Sequence, residues 1–258
     1  MSAAFTSVIY GPVPSWRLGR SLGVDMVSRP EKTCSFDCAY CQLGPTRCHT
    51  AERREFVTIA RLRKELEQLP PLELDYVTFS GTAEPTLAAN LGEAIIVVKE
   101  HLVVPVAVLT NSSLMSDPEV RADLCQADKV VAKLDSPSEE LLGRVNHPVS
   151  GITLRAILDG LRLFREEYGG HLALQMMFYA DNRDQAEALA ALARELDPDE
   201  IEVNTPLRPC AVKPLPPEVI AEVMRVFSGL PAVSVYGSSR PTVEPLDMEE
   251  TLQRRPVL

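Results

Sequence analysis

The chain has 258 residues and a formal net charge of −10, with 45% hydrophobic and 24% charged residues, which excludes collagen-like, coiled-coil and wholly disordered proteins. No apolar run reaches the roughly 18 residues of a membrane span. The N-terminal arginines follow the apolar residues, which is not the order of a secretory signal. We therefore expect a cytoplasmic protein that has no membrane partner.

Short β-branched runs alternate along the chain with longer stretches of helical periodicity, which is typical of strand–helix units around a parallel sheet. Six strands are predicted, over 21–27, 74–80, 105–110, 129–134, 172–179 and 200–204. Helices are predicted over 58–69, 88–101, 117–125, from a capping box at Ser136 and Glu139, and over 153–168, 184–196 and 217–227. Because eight units close a full barrel, we predict an α/β fold, a partial (β/α)6 barrel of parallel strands with outer helices. A doubly wound sheet is the alternative.

Residues 1–237 are predicted to form this barrel domain, and residues 238–258 a C-terminal tail. The strand–helix pattern weakens after Tyr236, and a short helix is predicted over 248–255, close to the last residue. The tail is thus either the start of a truncated extension or a segment that docks on the surface. In both candidate folds, ligands bind at the carboxyl ends of the strands.

Three of the six cysteines, Cys34, Cys38 and Cys41, lie within eight residues after the first predicted strand, in C-x3-C-x2-C spacing. In a chain without an export signal, this crowding favours metal ligation over disulfides. A structural zinc ion needs a fourth ligand, which Cys48 or His49 would supply. A [4Fe–4S] cluster usually takes four cysteines, so one held by three leaves an iron open to another ligand. Both kinds of metal site remain possible at this point.

The cysteine motif, with Tyr40 before its last cysteine, resembles that of the radical S-adenosylmethionine (SAM) superfamily. The stretch from Tyr10 to Asp25 and the Gln42-Leu43-Gly44 segment are similar to its wyosine-synthetase-like iron–sulfur oxidoreductases, a resemblance over roughly residues 8–240. It implies an enzyme whose [4Fe–4S] cluster binds the amino and carboxylate groups of SAM. One electron then cleaves SAM to methionine and a 5′-deoxyadenosyl radical, which takes a hydrogen atom from the substrate. It also implies a low-potential electron donor such as flavodoxin or ferredoxin.

The same resemblance implies cofactor-binding roles near the cysteines and at the end of the second strand. Tyr40 is expected to lie against the adenine, or else only to pack within its loop. Residues 79–86 resemble the glycine-rich motif that binds the methionine amino group, with Gly81, Thr82 and Glu84 as the candidates. Ala83 stands where close relatives generally have Gly. A Gly-Thr turn capped by Glu84 is the structural alternative.

Further candidates follow the later strands. Asn111 offers an amide for the SAM carboxylate or ribose, although Asn is also common in turns. Lys133 and Asp135 offer a cation for the carboxylate and an acceptor for ribose hydroxyls, or else pair with each other. Asn204 is a candidate contact to the adenosine, and Arg208 is placed to meet an anionic substrate.

We predict a radical SAM enzyme acting on an unidentified substrate. A tRNA-modifying wyosine enzyme carries further cysteines upstream for a second cluster, and residues 1–33 contain none. The net acidity also disfavours a nucleic acid, so a small molecule, peptide or protein is favoured over tRNA. A non-catalytic iron–sulfur electron carrier or sensor is the alternative, although it would not need the motifs at Glu84 and Asn111.

Charge is unevenly distributed along the chain. Residues 1–64 hold ten Lys and Arg against five Asp and Glu, net +5, and residues 65–258 hold sixteen against thirty-one, net −15, which sum to −10. The basic N-terminal part is able to face an anionic substrate or a redox partner. Its arginines are equally compatible with a solvated position in loops.

Overall fold

The computed structural model describes residues 5–256 and has an eight-stranded sheet at its centre. Its strand order is β1-β2-β5-β6-β7-β8-β9-β10, and every neighbouring pair is parallel except β1 with β2. The strands are β1 (Ile9–Ser15), β2 (Gly19–Val24), β5 (Tyr76–Phe79), β6 (Val106–Thr110), β7 (Lys129–Lys133), β8 (His171–Met177), β9 (Glu200–Asn204) and β10 (Ala232–Ser234), while β3 (Thr33–Cys34) and β4 (Cys48–His49) form a separate small pair. An order that never reverses is that of a barrel and not of a doubly wound sheet. Because β1 and β10 are the two sheet edges, the barrel is open, and the predicted partial barrel is confirmed.

Helices connect the parallel strands. They are α1 (Ile59–Glu67), α2 (Leu91–His101), α3 (Pro118–Leu124), α4 (Glu139–Val145), α5 (Leu154–Glu167), α6 (Ala186–Leu196), α7 (Pro217–Val226) and α8 (Met248–Arg254), with 3-10 turns at Pro85–Leu87 and Arg183–Gln185. A side chain that accepts from a first-turn N–H caps five of them, namely Thr58, Asp117, Ser138, Thr153 and Asp247. None of the helices between residues 5 and 256 has the length and apolar character needed to cross a membrane.

Side chains alternate between two environments along the parallel strands. In β5, Val77 and Phe79 are fully buried in the apolar core that the helices cover, whereas Thr78 bonds to Ser21 across the other face. Buried polar residues of this kind also include Glu202 of β9, which accepts from Arg17 at 2.9 Å. The core therefore lies between sheet and helices, and the interior of the barrel is polar.

Two edge strands and one helix start differ from the prediction. β1 was missed because Pro12 and Pro14 count against a strand, yet an edge strand tolerates proline because it has no second partner to pair with. β10 has only three residues, all at least partly exposed. The helix predicted to begin at Ser136 begins later, since Ser138 caps it and Ser136 is buried against Asn146.

Residues that follow β10 return to the first strand. The Leu246 N–H donates to Gly11 O at 2.6 Å, and the Thr251 side chain accepts from the Gly11 N–H at 3.1 Å. Arg254, in the last turn of α8, is fully buried and lies 3.4 Å from Asp25, just beyond the end of β2. The C-terminal helix thus packs against β1, the edge strand that pairs with β2, and the cysteine loop follows β2.

Candidate functional site

The cysteine loop is fixed at both ends by short strands. Cys34 ends β3, and the pairing of β3 with β4 brings the loop back beside its own start. Thr33 also exchanges backbone hydrogen bonds with the segment after β5, donating to Thr82 O and accepting from the Glu84 N–H. The Cys41 N–H donates to Cys38 O at 3.0 Å, which makes a tight turn. The loop is therefore held at the carboxyl end of the sheet, where the fold class places ligands.

All three loop cysteines line a single cavity of about 280 Å³. Candidates from the sequence that line the same cavity are Tyr40, Gly81, Glu84, Asn111, Lys133, Asn204 and Arg208. Two other candidates, Thr82 and Asp135, are buried behind its wall and do not line it. The structure thus brings residues from five separate segments of the chain to one place.

Burial sets the protonation of the thiols. It raises the pKa of Cys34, with the Glu84 carboxylate adding to the shift, and raises the pKa of Cys38 to about 11. Lys32 lies beside them: burial lowers its pKa, but the negative charges of Cys41 and the other two thiolates more than offset this and raise it. Without metal, Cys34 and Cys38 therefore hold their protons more tightly than exposed thiols do, and bound iron would supply the positive charge that stabilises their thiolate forms.

N–H groups surround two of the sulfurs. The Phe36 N–H donates to Cys34 Sγ at 3.4 Å, and Asn111 Nδ2 lies 3.5 Å from the same atom. Asn146 Nδ2 lies 3.5 Å from Cys38 Sγ. Donors to cysteine sulfurs stabilise negative charge and tune iron–sulfur clusters. The donor set therefore fits a cluster of iron held by thiolates.

The spacing of possible ligands bears on the kind of metal centre. Among residues 5–256 no three His, Cys, Asp or Glu side chains are close enough to hold one metal ion. His49, a possible fourth zinc ligand, has its Nε2 3.1 Å from Ser35 O instead. His49 is therefore engaged with the backbone of the loop and is not placed as a fourth zinc ligand.

Glu84 connects the ends of β5 and β6. One oxygen accepts from the Thr86 N–H at 3.1 Å and from the Thr86 and Thr110 hydroxyls at 2.7 Å, and the other accepts from the Asn111 N–H at 2.7 Å. Burial raises the pKa of this carboxyl. The capping role that the sequence allowed is therefore present, and the carboxylate still faces the cavity. Only the oxygen beside Asn111 has capacity left for a further donor.

Gly81 and Thr82 surround a second buried carboxylate, that of Asp25. A Cβ on Gly81 would lie 2.2 Å from Asp25 Cγ, so no larger residue fits without movement. The Thr82 N–H and hydroxyl donate to Asp25 Oδ2 at 2.9 and 3.0 Å. Thr82 therefore shapes the turn from behind, while Gly81 leaves backbone facing the cavity.

Tyr40 is held by groups on β7 and α4. Its hydroxyl donates to Asp135 Oδ2 and accepts from Asn146 Nδ2 at 3.0 Å. The Lys133 Nζ lies 4.6 Å from the centre of the Tyr40 ring and 3.7 Å from Asp135. Asp135 also accepts from the Met177 N–H at 2.7 Å. The local pairing of Lys133 with Asp135 is thus observed, and the carboxylate orients Tyr40 instead of facing the cavity.

Several lining residues were not predicted. Trp16, Arg17, Arg240 and Arg255 line the cavity with Arg208. Trp16 and Arg17 lie in the stretch from Tyr10 to Asp25 that carries the family resemblance, but no role was assigned to them, and Arg240 and Arg255 follow no motif. Lys32 and Asn146 were missed for the same reason, since only the fold brings them to the sulfurs.

Comparisons with known proteins give one consistent result. The family model for the radical SAM superfamily matches residues 30–193. A UPF0026 protein of Synechocystis sp. is 42% identical over 221 residues, which is 85% of this chain and 81% of that protein. Streptococcus suis SuiB bound to S-adenosylmethionine has a TM-score of 0.61 at 16% identity over 80% of this chain, although the chain spans only 48% of SuiB. Archaeal TYW1 has a TM-score of 0.55 at 14% identity, over 80% of this chain and 70% of TYW1. These two structures share the fold.

Proposed function

The chain belongs to the radical SAM superfamily, whose enzymes use a [4Fe–4S] cluster and SAM, and we propose that Cys34, Cys38 and Cys41 hold that cluster. When bound, the cluster and SAM supply the chemistry: one electron splits the sulfonium into methionine and a 5′-deoxyadenosyl radical, which takes a hydrogen atom from the substrate. The observation that carries the proposal is that the three thiols share a single cavity with Glu84 and Asn111.

The surrounding residues suit the parts of SAM. Backbone groups at Gly81 and the free side of the Glu84 carboxylate are acceptors for an ammonium group. Lys133 carries a positive charge at the cavity wall and suits a carboxylate. Tyr40 presents a ring whose orientation is fixed, which suits an adenine, and Asn204 lies at the end of β9 as a polar contact to the adenosine.

Asp135 and Thr82 act through other residues. Asp135 fixes the Tyr40 ring and the start of the segment after β8, while Thr82 fixes the turn at Gly81. Such rigid support keeps a bound cofactor in one orientation, and positioning is the main contribution that a protein makes to cofactor chemistry.

The test of the cluster ligands is anaerobic reconstitution with iron and sulfide, followed by addition of SAM and a strong reductant. The wild-type protein should form 5′-deoxyadenosine. Cys34→Ala, Cys38→Ala and Cys41→Ala should each abolish it, whereas Cys125→Ala, at the end of α3 and outside the cavity, should retain it. A cluster that assembles and cleaves SAM without Cys38 would refute the ligand assignment.

The same assay separates the other classes. An intact, reducible cluster that never cleaves SAM would indicate an electron carrier or sensor. Metal analysis that finds zinc without acid-labile sulfide would indicate a zinc site.

A wyosine-type modification of tRNA is the second candidate, supported by the similarity of residues 10–25 and 42–44 to that branch and by the fold shared with TYW1. The net charge of −10 and the lack of cysteines in residues 1–33 count against it. Incubating the loaded enzyme with unmodified tRNA and analysing the nucleosides by mass spectrometry decides between them. Unchanged nucleosides, with 5′-deoxyadenosine formed, would leave a small molecule, peptide or protein as the substrate class.

The proposal includes a reducing setting. The six cysteines are all free thiols in the described structure, which suits a cytoplasmic protein. A flavodoxin or ferredoxin is the proposed electron donor. Reduced flavodoxin should replace the chemical reductant in the SAM cleavage assay.

A further inference from the structure

Four arginines lie close together at one part of the cavity, and we call them the arginine cluster. They come from four segments: Arg17 from the hairpin between β1 and β2, Arg208 from the loop after β9, Arg240 from the segment after β10, and Arg255 from the end of α8. Burial, and then the charges of Arg255, Arg17 and Arg240, lower the pKa of Arg208 below its usual value. Like charges therefore face one another across a small space.

Three of the four arginines have no carboxylate partner within the described residues. Among residues 5–256, no carboxylate lies within ion-pair distance of Arg208, Arg240 or Arg255. Arg208 donates to the neutral amide of Gln42 at 2.9 Å, and Arg255 to the Ser80 hydroxyl at 2.7 Å. Three other arginines with buried or partly buried side chains, Arg20, Arg53 and Arg121, each pair with a carboxylate.

Arg17 adds a second and independent observation. Its Nη1 pairs with the fully buried Glu202 at 2.9 Å, but its Nε is buried and has no hydrogen-bond partner within the described residues. A buried donor without an acceptor costs about 1–3 kcal/mol in general. Arg17 thus differs from Arg208, Arg240 and Arg255, because it has a carboxylate partner but keeps one donor unpaired.

The cluster also includes residues that follow both edge strands of the open barrel. β1 and β10 are the two edges of the open barrel, and Arg17 and Arg240 follow these two strands directly or within a few residues. The arginines line the same cavity as Cys34, Cys38 and Cys41. An anionic group bound by the arginines therefore lies in the same cavity as the three loop cysteines.

We infer that the arginine cluster binds a phosphate group of the substrate, and that the substrate is a small phosphorylated molecule. One guanidinium group donates two parallel hydrogen bonds to two oxygens of a phosphate. A phosphate also has enough negative charge and acceptor oxygens to bind several guanidinium groups at once. A single carboxylate has only two oxygens for the three arginines that lack a carboxylate partner, Arg208, Arg240 and Arg255. The acidity of the remaining chain disfavours a polymeric nucleic acid as the source of the phosphate. This inference rests on the proposed function, because it names the substrate class of that same cavity.

Inorganic pyrophosphate is the probe, and its binding to the cluster-loaded protein is measured by titration calorimetry. Arg208→Gln and the exposed Arg240→Gln should each weaken binding about tenfold or more, since a hydrogen bond to a charged group is lost together with a positive charge. The matched control is Arg155→Gln on α5, whose side chain is 90% exposed and lies outside the cavity. The control should bind pyrophosphate as the wild type does.

Three results would overturn the inference. The first is a wild-type protein that does not bind pyrophosphate, or an Arg208→Gln variant that binds it equally well. The second is complete displacement of pyrophosphate by SAM, because the arginines would then hold the cofactor carboxylate. The third is unmodified tRNA that competes for the site and binds more tightly than pyrophosphate, which would make the ligand a polymer.

The outcome is separable from that of the proposed function. A wild-type protein that forms 5′-deoxyadenosine but does not bind pyrophosphate would refute the arginine cluster as an anion site and leave the SAM chemistry standing. Pyrophosphate binding without any SAM cleavage would refute the SAM chemistry and leave the arginine cluster standing as an anion site.

Discussion

A substitution of Arg254 tests directly whether the C-terminal helix α8 contributes to the stability of the barrel. Its side chain is 0% exposed and that of Asp25 is 2% exposed, with 3.4 Å between Arg254 Nε and Asp25 Oδ2. Its Nη2 also donates to Ser7 O at 2.6 Å, and its guanidinium lies 3.7 Å from the ring centre of Phe5. The substitution Arg254→Met keeps the apolar length but leaves Asp25 buried without its cation.

Breaking a buried ion pair by removing one partner costs about 3–5 kcal/mol. For a chain of this size, one kcal/mol lowers the melting temperature by about 2–4 °C, so Arg254→Met should melt roughly 6–20 °C below the wild type. Scanning calorimetry and urea unfolding measure this loss. Asp25→Asn and the double variant complete a thermodynamic cycle, whose coupling energy isolates the ion pair from the four other hydrogen bonds that Asp25 accepts.

The control for this experiment is Arg155→Met, on the exposed side of α5, which should change stability by no more than about 0.5 kcal/mol. A melting temperature for Arg254→Met within about 2 °C of the control would contradict the reasoning. It would mean that the contacts of α8 contribute little to the stability of the barrel.

Three further outcomes follow from the site and its supports. Glu84→Gln should assemble the cluster but lose about 1–3 kcal/mol of stability, because an amide cannot accept all four hydrogen bonds. It should also weaken SAM binding, and an unchanged SAM affinity in equilibrium dialysis would exclude a cofactor contact. Tyr40→Phe should leave Asp135 without its hydroxyl partner and lower the rate of 5′-deoxyadenosine formation, with the cluster absorbance unchanged as the check that the loop is intact. Burial raises the pKa of Glu250, but hydrogen bonds from Thr6 and others more than offset this and lower it. The stabilisation is then present above the unfolded pKa, about 4.5, and is lost as the pH falls through the lower folded pKa. Glu250→Gln should therefore reduce the loss of unfolding free energy at acid pH, measured by urea unfolding at a series of pH values. The same loss in the variant as in the wild type would contradict this prediction.

Much of the fold was predictable because it depends on local patterns. All six predicted strands are present in the sheet, and that over Glu200–Asn204 has the predicted bounds. Buried parallel strands are continuous apolar or β-branched runs, and the helices between them bury one face, so both patterns are visible in short windows. The edge strands were missed for different reasons: β1 contains Pro12 and Pro14, and β10 is short and at least partly exposed throughout.

The site was predictable to a smaller extent. The spacing of Cys34, Cys38 and Cys41 indicates one metal centre from the sequence alone, because three ligands within eight residues can reach a common group. The roles assigned to the other candidates remain predictions. For Asp135 and Thr82, the structure shows hydrogen bonds to Tyr40 and to Asp25 and no exposure to the cavity, which no local pattern would reveal.

The sequence by itself thus determined the parallel α/β architecture, the cysteine loop after the first parallel strand and the resemblance that links both to SAM. Tertiary structure alone decided the pairing of Arg254 with Asp25, which are 229 residues apart, and the meeting of Arg17, Arg208, Arg240 and Arg255 in one cavity. The physical reason is that periodicity and spacing report neighbours along the chain, whereas a buried charge acquires its partners only when distant segments pack together.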